Sequence, residues 1–179
     1  VPKGKEVVST KGKISQWDRT YRTPGEPLDT VMPMAVLING ASASAAEIVS
    51  GSLQDMDRAV LIGQRSFGKG LVQRPIEFDD GSMIRLTIAH YYTPSGRCIQ
   101  KPYKKGDKKD YEMDIEYRLK HGELTNPDSI HFADSLRYYT LKEHRAVYGG
   151  GGIMPDVFVP LDTLKYTRLH RQLAAKSIV

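Results

Sequence analysis

The chain has very little cysteine: Cys98 is the only thiol among 179 residues. One thiol cannot form an internal disulfide, and it cannot supply a cysteine-based zinc site. Long apolar runs are also missing, since none approaches the ~18 residues that a membrane-spanning helix needs. The sequence therefore indicates neither a disulfide scaffold nor a membrane span. The apolar share of 40% and the charged share of 26% are ordinary for a globular domain.

The formal net charge is +5, which raises the question of a nucleic-acid partner. The basic excess is concentrated in one segment, and acidic residues follow it at once. The basic residues are Lys101, Lys104, Lys105, Lys108 and Lys109, and the acidic ones are Asp110, Glu112, Asp114 and Glu116. Such alternation of sign is typical of a solvated excursion rather than of a surface that follows phosphates. We therefore expect no nucleic-acid partner.

The first third of the chain predicts a strand–helix–strand unit. Polar, turn-rich sequence predicts short strands over about Glu6–Thr10 and Gly12–Trp17. Met34–Ile38 and Ala59–Ile62 are continuous apolar runs, typical of strands buried on both faces. Between them, Ala45–Met56 has apolar residues at helical spacing. A strand, a helix and a strand in that order predict a parallel crossover.

The rest of the chain predicts antiparallel pairing and one excursion. Asp79-Asp80-Gly81 between apolar runs predicts a hairpin of Leu71–Phe78 with Ser82–Tyr92. Residues 101–131 are predicted to form an inserted, partly helical excursion. Further expectations are pairing of Leu136–Leu141 with Arg145–Tyr148, a flexible break at Gly149–Gly152, a strand at Val157–Val159, and a helix from Thr163 capped by Asp162. The expected fold is α/β with a mixed sheet.

Ser44 is the first candidate for chemistry, because it lies among alanines at the start of the predicted helix. A helix N-terminus favours the negative oxygen of an acyl-transfer intermediate, and the Ala45 N–H would point toward it. The alternative is that Ser42 and Ser44 only cap the helix. Glu47 lies three residues beyond Ser44, at capping-box spacing, and we interpret it as a cap rather than as a residue that orders a site.

Lys69 is the second candidate, since it stands between Gly68 and Gly70. A lysine amine can remove the proton from a serine hydroxyl, but only when it is neutral, which requires shelter from water. If Gly70 bends the chain, the Gln73 amide can return to bond the lysine nitrogen. The alternatives are a surface lysine in a glycine turn and a strand glutamine that faces solvent.

Taken together, these motifs resemble the C-terminal processing, or tail-specific, serine peptidases. That family carries an asparagine before a Ser-Ala repeat and a glutamate, as in Asn39–Glu47, and then Phe-Gly-Lys-Gly with a later glutamine, as in Phe67–Gln73. The resemblance continues through Tyr91–Arg97 and reaches Gly152–Asp156. It therefore extends over most of the chain, in order.

The resemblance implies that Ser44 is the nucleophile, Lys69 the general base and Gln73 its positioning residue. It implies that the Ala45 amide is an oxyanion donor, and that Gly70, Leu71 and Val72 bind substrate. Ser42 matches the first serine of the repeat and is not the nucleophile.

The family also implies an activity and a setting. Its members hydrolyse peptide bonds through an acyl-enzyme, need no metal or cofactor, and act in the bacterial cell envelope on proteins selected near their C-termini. The implied core is a spiral α/β fold like those of ClpP and crotonase. No PDZ-like domain is evident, so we expect residues 1–179 to be part of a protease core, truncated at both ends, with low activity alone. Nothing in the sequence predicts the oligomeric state.

Three other functions stay open at this point. A Ser-His hydrolase would use His90, which lies on a predicted strand. An inactive fragment would act as a peptide-binding scaffold, with the Leu71–Arg74 edge pairing with a substrate strand. An acyl-CoA enzyme on a similar spiral fold would give Lys69 no role.

Overall fold

A computed structural model describes residues 1–104, 106 and 108–162. In chain order, the strands and helices of these ranges are β1 (Glu6–Gly12), β2 (Arg19–Arg22), β3 (Ala35–Ile38), α1 (Ala45–Asp55), β4 (Val60–Gly63), β5 (Leu71–Glu77), β6 (Met83–Tyr92), α2 (Lys108–Glu112), α3 (Asp114–Lys120), β7 (Arg137–Tyr139), β8 (Ala146–Tyr148) and β9 (Val157–Phe158). Short 3-10 helices lie at Ser15–Trp17, Pro127–Ser129 and Asp134–Leu136. The expected α/β class is confirmed, with parallel and antiparallel pairing in separate sheets. No helix in these ranges is long and apolar enough to span a bilayer.

The antiparallel sheet has the strand order β2-β1-β6-β5. The strand expected over Gly12–Trp17 is wrong, because a 3-10 turn separates β1 from β2 there. Side chains replace strand pairing at this point. The Thr10 hydroxyl donates to the Trp17 carbonyl at 2.9 Å, and the Asp18 carboxylate accepts the Gly12 N–H at 2.9 Å. These local bonds satisfy the backbone in a turn.

The predicted parallel unit is confirmed: β3 pairs with β4, β4 pairs with β9, and α1 connects the first two. Ile38, Leu61, Ile99 and Ile153 form a buried apolar cluster against this unit. The expectation that β3 is buried on both faces is wrong, since Leu37 is 78% exposed. An apolar run alone cannot tell one covered face from two, and in the described ranges only one face is covered.

Helix α1 buries small and polar residues where the sequence pattern predicted an apolar face. Its buried positions are Glu47, Ser50, Gly51, Ser52, Gln54 and Asp55. A side chain at Gly51 would lie 2.8 Å from both Ile153 and Thr93, so glycine is what lets the helix approach this closely. At the other end of the helix, Asp55 and Arg97 form a fully buried ion pair at 2.7 Å.

The hairpin of β5 and β6 and the pairing of β7 with β8 are both confirmed. The turn between β5 and β6 lies where Asp79-Asp80-Gly81 predicted it, with Gly81 at φ 81° and the Ser82 N–H bonded to Asp80. β5 is an edge strand of its sheet among the described residues. Its outer side is therefore available to pair with another strand.

Two other expectations from the second half of the chain need correction. Residues 101–131 are partly helical as predicted, but they are not simply a solvated excursion, because Lys101 and Arg118 are buried. The break at Gly149–Gly152 is packed rather than free: the Gly150 and Gly152 N–H groups donate to the carbonyls of Cys98 and Ile99. The helix predicted from Thr163 lies outside the described residues.

Candidate active site

Ser44 occupies a sharp turn between β3 and α1. Its φ of 57° and ψ of −117° are rare for any residue except glycine, and they end the turn that starts at Asn39. A strained strand-to-helix turn of this kind presents a serine hydroxyl outward, as in a nucleophile elbow. Ser44 and Glu47 form a capping box across the first turn of α1, in which the Ser44 side chain faces the Glu47 N–H and the Glu47 carboxylate accepts the Ser44 N–H at 2.9 Å. Ser44 itself is half-buried.

Ala45 is the first residue of α1 and is exposed. Its N–H makes no hydrogen bond to any residue that the structure describes. Free N–H groups at a helix N-terminus carry partial positive charge. The Ala45 N–H is therefore an available donor next to Ser44.

Glu47 joins the serine turn to the lysine loop. Its side chain is fully buried, and its carboxylate accepts four hydrogen bonds. One oxygen accepts the Ser66 hydroxyl and the Gly68 N–H, the latter at 2.6 Å. The other accepts the N–H groups of Ser44 at 2.9 Å and Lys69 at 2.8 Å. The backbones of Ser44 and Lys69 therefore lie within two hydrogen-bond lengths of each other.

The Lys69 side chain is less constrained than its backbone. The residue is exposed, and in the described part of the chain its amine makes no hydrogen bond to the Ser44 hydroxyl. The shelter that a neutral amine requires is thus not supplied by these residues alone. Gln73 is exposed too, and its amide lies 3.5 Å from the Thr87 hydroxyl rather than against Lys69. The structure brings the two segments together without joining the three side chains.

Gly70 lies directly before β5, in the segment for which the family resemblance implies substrate binding. It is buried, its N–H donates to the Gln100 side chain at 3.0 Å, and its carbonyl accepts from Tyr91 at 2.8 Å. A side chain at this position would lie 2.7 Å from the Gln100 nitrogen, so only glycine fits. Leu71 and Val72 follow on edge strand β5, with a bulge between Val72 and Gln73. A bulge re-aims side chains next to a site.

His90 lies on an exposed position of β6, opposite Leu71 and Lys11 in the sheet. It makes no hydrogen bond to Ser44. No group of three or more histidine, cysteine, aspartate or glutamate residues in the described ranges is arranged to hold a metal ion.

Sequence reasoning missed two buried cations next to the lysine loop. Arg118 of α3 is 1% exposed, and its guanidinium donates to the Ser66 carbonyl at 2.7 Å. The amine of Lys101 bonds Asp114 at 3.2 Å and lies 3.9 Å from the Phe67 ring centre. Burial lowers the pKa of the Lys101 amine, and the neighbouring Asp114 carboxylate opposes that shift.

One signal for these contacts is present in the sequence. Asp114 and Arg118 are four residues apart, the spacing of an ion pair on one helix face. The surrounding alternation of charge concealed it, because an exposed pair has the same pattern.

Comparison with known proteins gives consistent relationships. Residues 1–113 match peptidase family S41. Over 95 residues the chain is 50% identical to a carboxy-terminal-processing protease of Bartonella bacilliformis, and over 111 residues it is 39% identical to a carboxyl-terminal-processing protease of Synechocystis sp.. These alignments cover 53% and 62% of this chain, but only 22% and 25% of the two relatives.

A solved structure, that of a photosystem II D1 C-terminal processing protease, is similar with a TM-score of 0.57 and 27% identity. The match covers 92% of this chain and 29% of that protein. The chain thus spans about a quarter of the length of the relatives it matches. Because the family match takes in well over half of its residues, this chain belongs to peptidase family S41.

Proposed function

We propose that the chain carries the reacting residues of a C-terminal processing serine endopeptidase. Ser44 is the nucleophile, Lys69 the general base and Gln73 the residue that positions the lysine. The Ala45 N–H is one oxyanion donor, and the Gly70–Val72 strand pairs with substrate. The peptidase family supports the reaction class, whereas these residue roles and the activity of the whole protein are the proposal itself.

In the proposed reaction, the Lys69 amine takes the proton of the Ser44 hydroxyl while its oxygen attacks a peptide carbonyl carbon. The carbonyl oxygen becomes negative and accepts the Ala45 N–H. Collapse of this intermediate breaks the C–N bond, and the protonated lysine returns its proton to the leaving amine. Water then attacks the Ser44 ester by the same route and releases the acid. No other co-reactant is required.

The observation that carries this proposal is the Glu47 carboxylate. One of its oxygens binds the backbones of Ser44 and Lys69 together, and Ser44 has the strained conformation of an outward-facing nucleophile. A fixed frame of this kind reduces the entropy lost on bringing nucleophile and base together.

The exposed Lys69 amine indicates what else the reaction needs. A lysine can act as a general base only when its amine is neutral, and that requires a site sheltered from water. A substrate strand lying along β5 would cover Lys69 and displace water from it. We propose that the substrate, a protein selected near its C-terminus, completes the shelter. We also propose that the protein acts in the bacterial cell envelope, as the family resemblance implies.

Labelling of the intact protein with a fluorophosphonate probe tests the assignment, since the probe reacts with activated serines. Wild type should be labelled at Ser44, as located by peptide mass spectrometry. Ser44→Ala should abolish labelling, and both Lys69→Ala and Lys69→Arg should slow it by at least about 10³-fold. Arginine keeps the charge but cannot accept the proton.

Two control variants make the result specific. Ser42→Ala removes the neighbouring hydroxyl and should still be labelled, whereas loss of labelling on His90→Ala alone would establish the Ser-His alternative. Labelling that survives both Ser44→Ala and Lys69→Ala would refute the dyad.

A further inference from the structure

The loop that leads into Lys69 is held by one side chain from the excursion. The Arg118 guanidinium donates to the carbonyls of three successive residues, at 3.5 Å for Arg65, 2.7 Å for Ser66 and 3.3 Å for Phe67. It also pairs with Asp114, one turn earlier on α3, at 2.9 Å. A guanidinium is a rigid fork of N–H donors, so it can fix several acceptors at once.

The same loop is held from its other side by Glu47. The carbonyls of Ser66 and Phe67 face the Arg118 cation, while the N–H groups of Gly68 and Lys69 face the Glu47 anion. The peptide group between Phe67 and Gly68 therefore lies between the two charges, with its dipole aligned with both of them. In a buried setting, such charge-assisted bonds are stronger than neutral ones.

A third set of contacts fixes the Phe67 side chain. Its ring packs edge-on against Tyr111 of α2, with ring centres 5.9 Å apart. The Lys101 amine lies over both rings, 3.9 Å from the centre of Phe67 and 4.2 Å from that of Tyr111. Asp114 pairs with Lys101 as well as with Arg118, so one carboxylate connects the two cations.

We propose that Arg118 is a positioning residue for Lys69, and that helix α3 sets the geometry of the active site from outside the segment that matches the family. This inference rests on the proposed role of Lys69. Arg118 does not touch substrate. It acts through the 65–69 loop, whose backbone sets the point from which the Lys69 side chain extends. The family match ends at residue 113, so α3 lies beyond it.

Arg118→Ala in the intact protein is the direct test. Its fluorophosphonate labelling at Ser44 should be about 10- to 100-fold slower, because a displacement of about 1 Å can have an effect of this size. This loss of rate should be seen for the folded fraction of the variant, since the Lys69 backbone is displaced relative to Ser44. A role confined to stability would reduce the amount of protein labelled and leave the rate of the folded fraction unchanged.

Arg118→Lys keeps the charge and one donor, and it should restore part of the rate. It also provides a folded variant if the alanine variant is too unstable. Lys120→Ala on the same helix removes an exposed cation without contact to the loop, and it should match wild type. A folded Arg118→Ala variant that is labelled at the wild-type rate would overturn the proposal.

Hydrogen exchange separates this inference from the proposed function. In Arg118→Ala, the Gly68 and Lys69 amides should lose protection while the amides in the middle of α1 keep theirs. If wild type is not labelled at Ser44, the proposed function fails, and the exchange result still decides whether Arg118 holds the loop. Unchanged protection of both amides would show that it does not.

Discussion

The buried side of the site and its outer side are built differently. On the buried side, Glu47, Ser66 and Arg118 are inaccessible to water, and each is bonded to the backbone of the lysine loop or of a neighbouring segment. On the outer side, Lys69 and Gln73 are exposed, and the contact that the structure shows for the Gln73 amide is a long one to Thr87.

The buried side of the site is therefore the preorganised one. The backbone N–H that would stabilise an oxyanion is already fixed, and so is the backbone from which the Lys69 side chain extends. Neither needs to rearrange during the reaction. The long outer side chains remain free to adapt when a substrate strand arrives. Substitutions on the buried side should therefore lower both stability and activity, whereas those on the outer side should affect activity alone.

Glu47→Gln should have the largest effect, because an amide NH2 would face N–H donors that now share a carboxylate. We expect a loss of about 2–4 kcal/mol in the free energy of unfolding, together with labelling at Ser44 slower by about 10²-fold or more. Urea unfolding and probe labelling measure the two quantities.

Glu116→Gln provides the matched control, since Glu116 is exposed on α3 and should shift stability by less than about 0.5 kcal/mol. Full stability in the Glu47 variant would show that the buried side is not held by this carboxylate.

Asp57 extends the comparison to the other end of α1. Burial opposes its charge, but the Glu143 and Lys142 N–H groups, both at 3.0 Å, and the Arg145 guanidinium outweigh burial and lower the pKa of the Asp57 carboxyl. Because its folded-state pKa lies below the unfolded value of about 3.9, the carboxylate stabilises the fold above that pH. This contribution is lost as the pH falls through about 4 and below.

Asp57→Asn should therefore lower the free energy of unfolding by about 1–3 kcal/mol at pH 7. Asparagine tolerates the φ of 51° found there, so the charge is what changes. Urea unfolding at pH 7 and pH 3 should show the gap from wild type narrowing in acid. A gap that is constant with pH would contradict this assignment, and Asp79→Asn in the exposed hairpin turn is the control.

Gln73→Ala should have the smallest effect. It tests whether a side chain on the outer side of the site affects activity without affecting stability. The residue is exposed, so we expect a stability change below about 0.5 kcal/mol. The positioning role proposed for Gln73 predicts that its loss slows labelling at Ser44 by about 2- to 10-fold. Thr87→Val tests whether the contact seen with Thr87 is responsible instead, in which case it should reproduce the loss. Destabilisation of more than about 1 kcal/mol would place Gln73 with the buried side.

Much of the fold could be predicted, because its elements have strong local signals. The β5–β6 hairpin and the unit β3-α1-β4 were predicted with boundaries within two residues. The errors arose where side-chain contacts, or the covering of one face of a strand, decide the structure. Thr10 and Asp18 convert an expected strand into a turn, and Leu37 looks like a core residue until the neighbours of its face are known.

The site could be predicted only in part. The sequence motifs identified the segments of Ser44 and Lys69, and the spacing of Glu47 correctly predicted a helix cap. The same carboxylate also orders the lysine loop, which capping-box spacing does not reveal, because Ser66, Gly68 and Lys69 are distant in sequence. The contacts of Arg118 could not be predicted for a similar reason. Its partners are backbone carbonyls, which every residue type provides.

The backbone conformation of Ser44 makes a hydroxyl-bearing residue at this position costly for the stability of the fold. Glycine adopts a φ of 57° with a ψ of −117° freely, whereas any other residue is strained there by roughly 1–3 kcal/mol. The substitution that relaxes the turn is thus the one that deletes the hydroxyl. Engineering for heat tolerance that ranks positions by folding energy alone would select this position early, and under the role proposed for Ser44 it would yield a more stable but inactive protein.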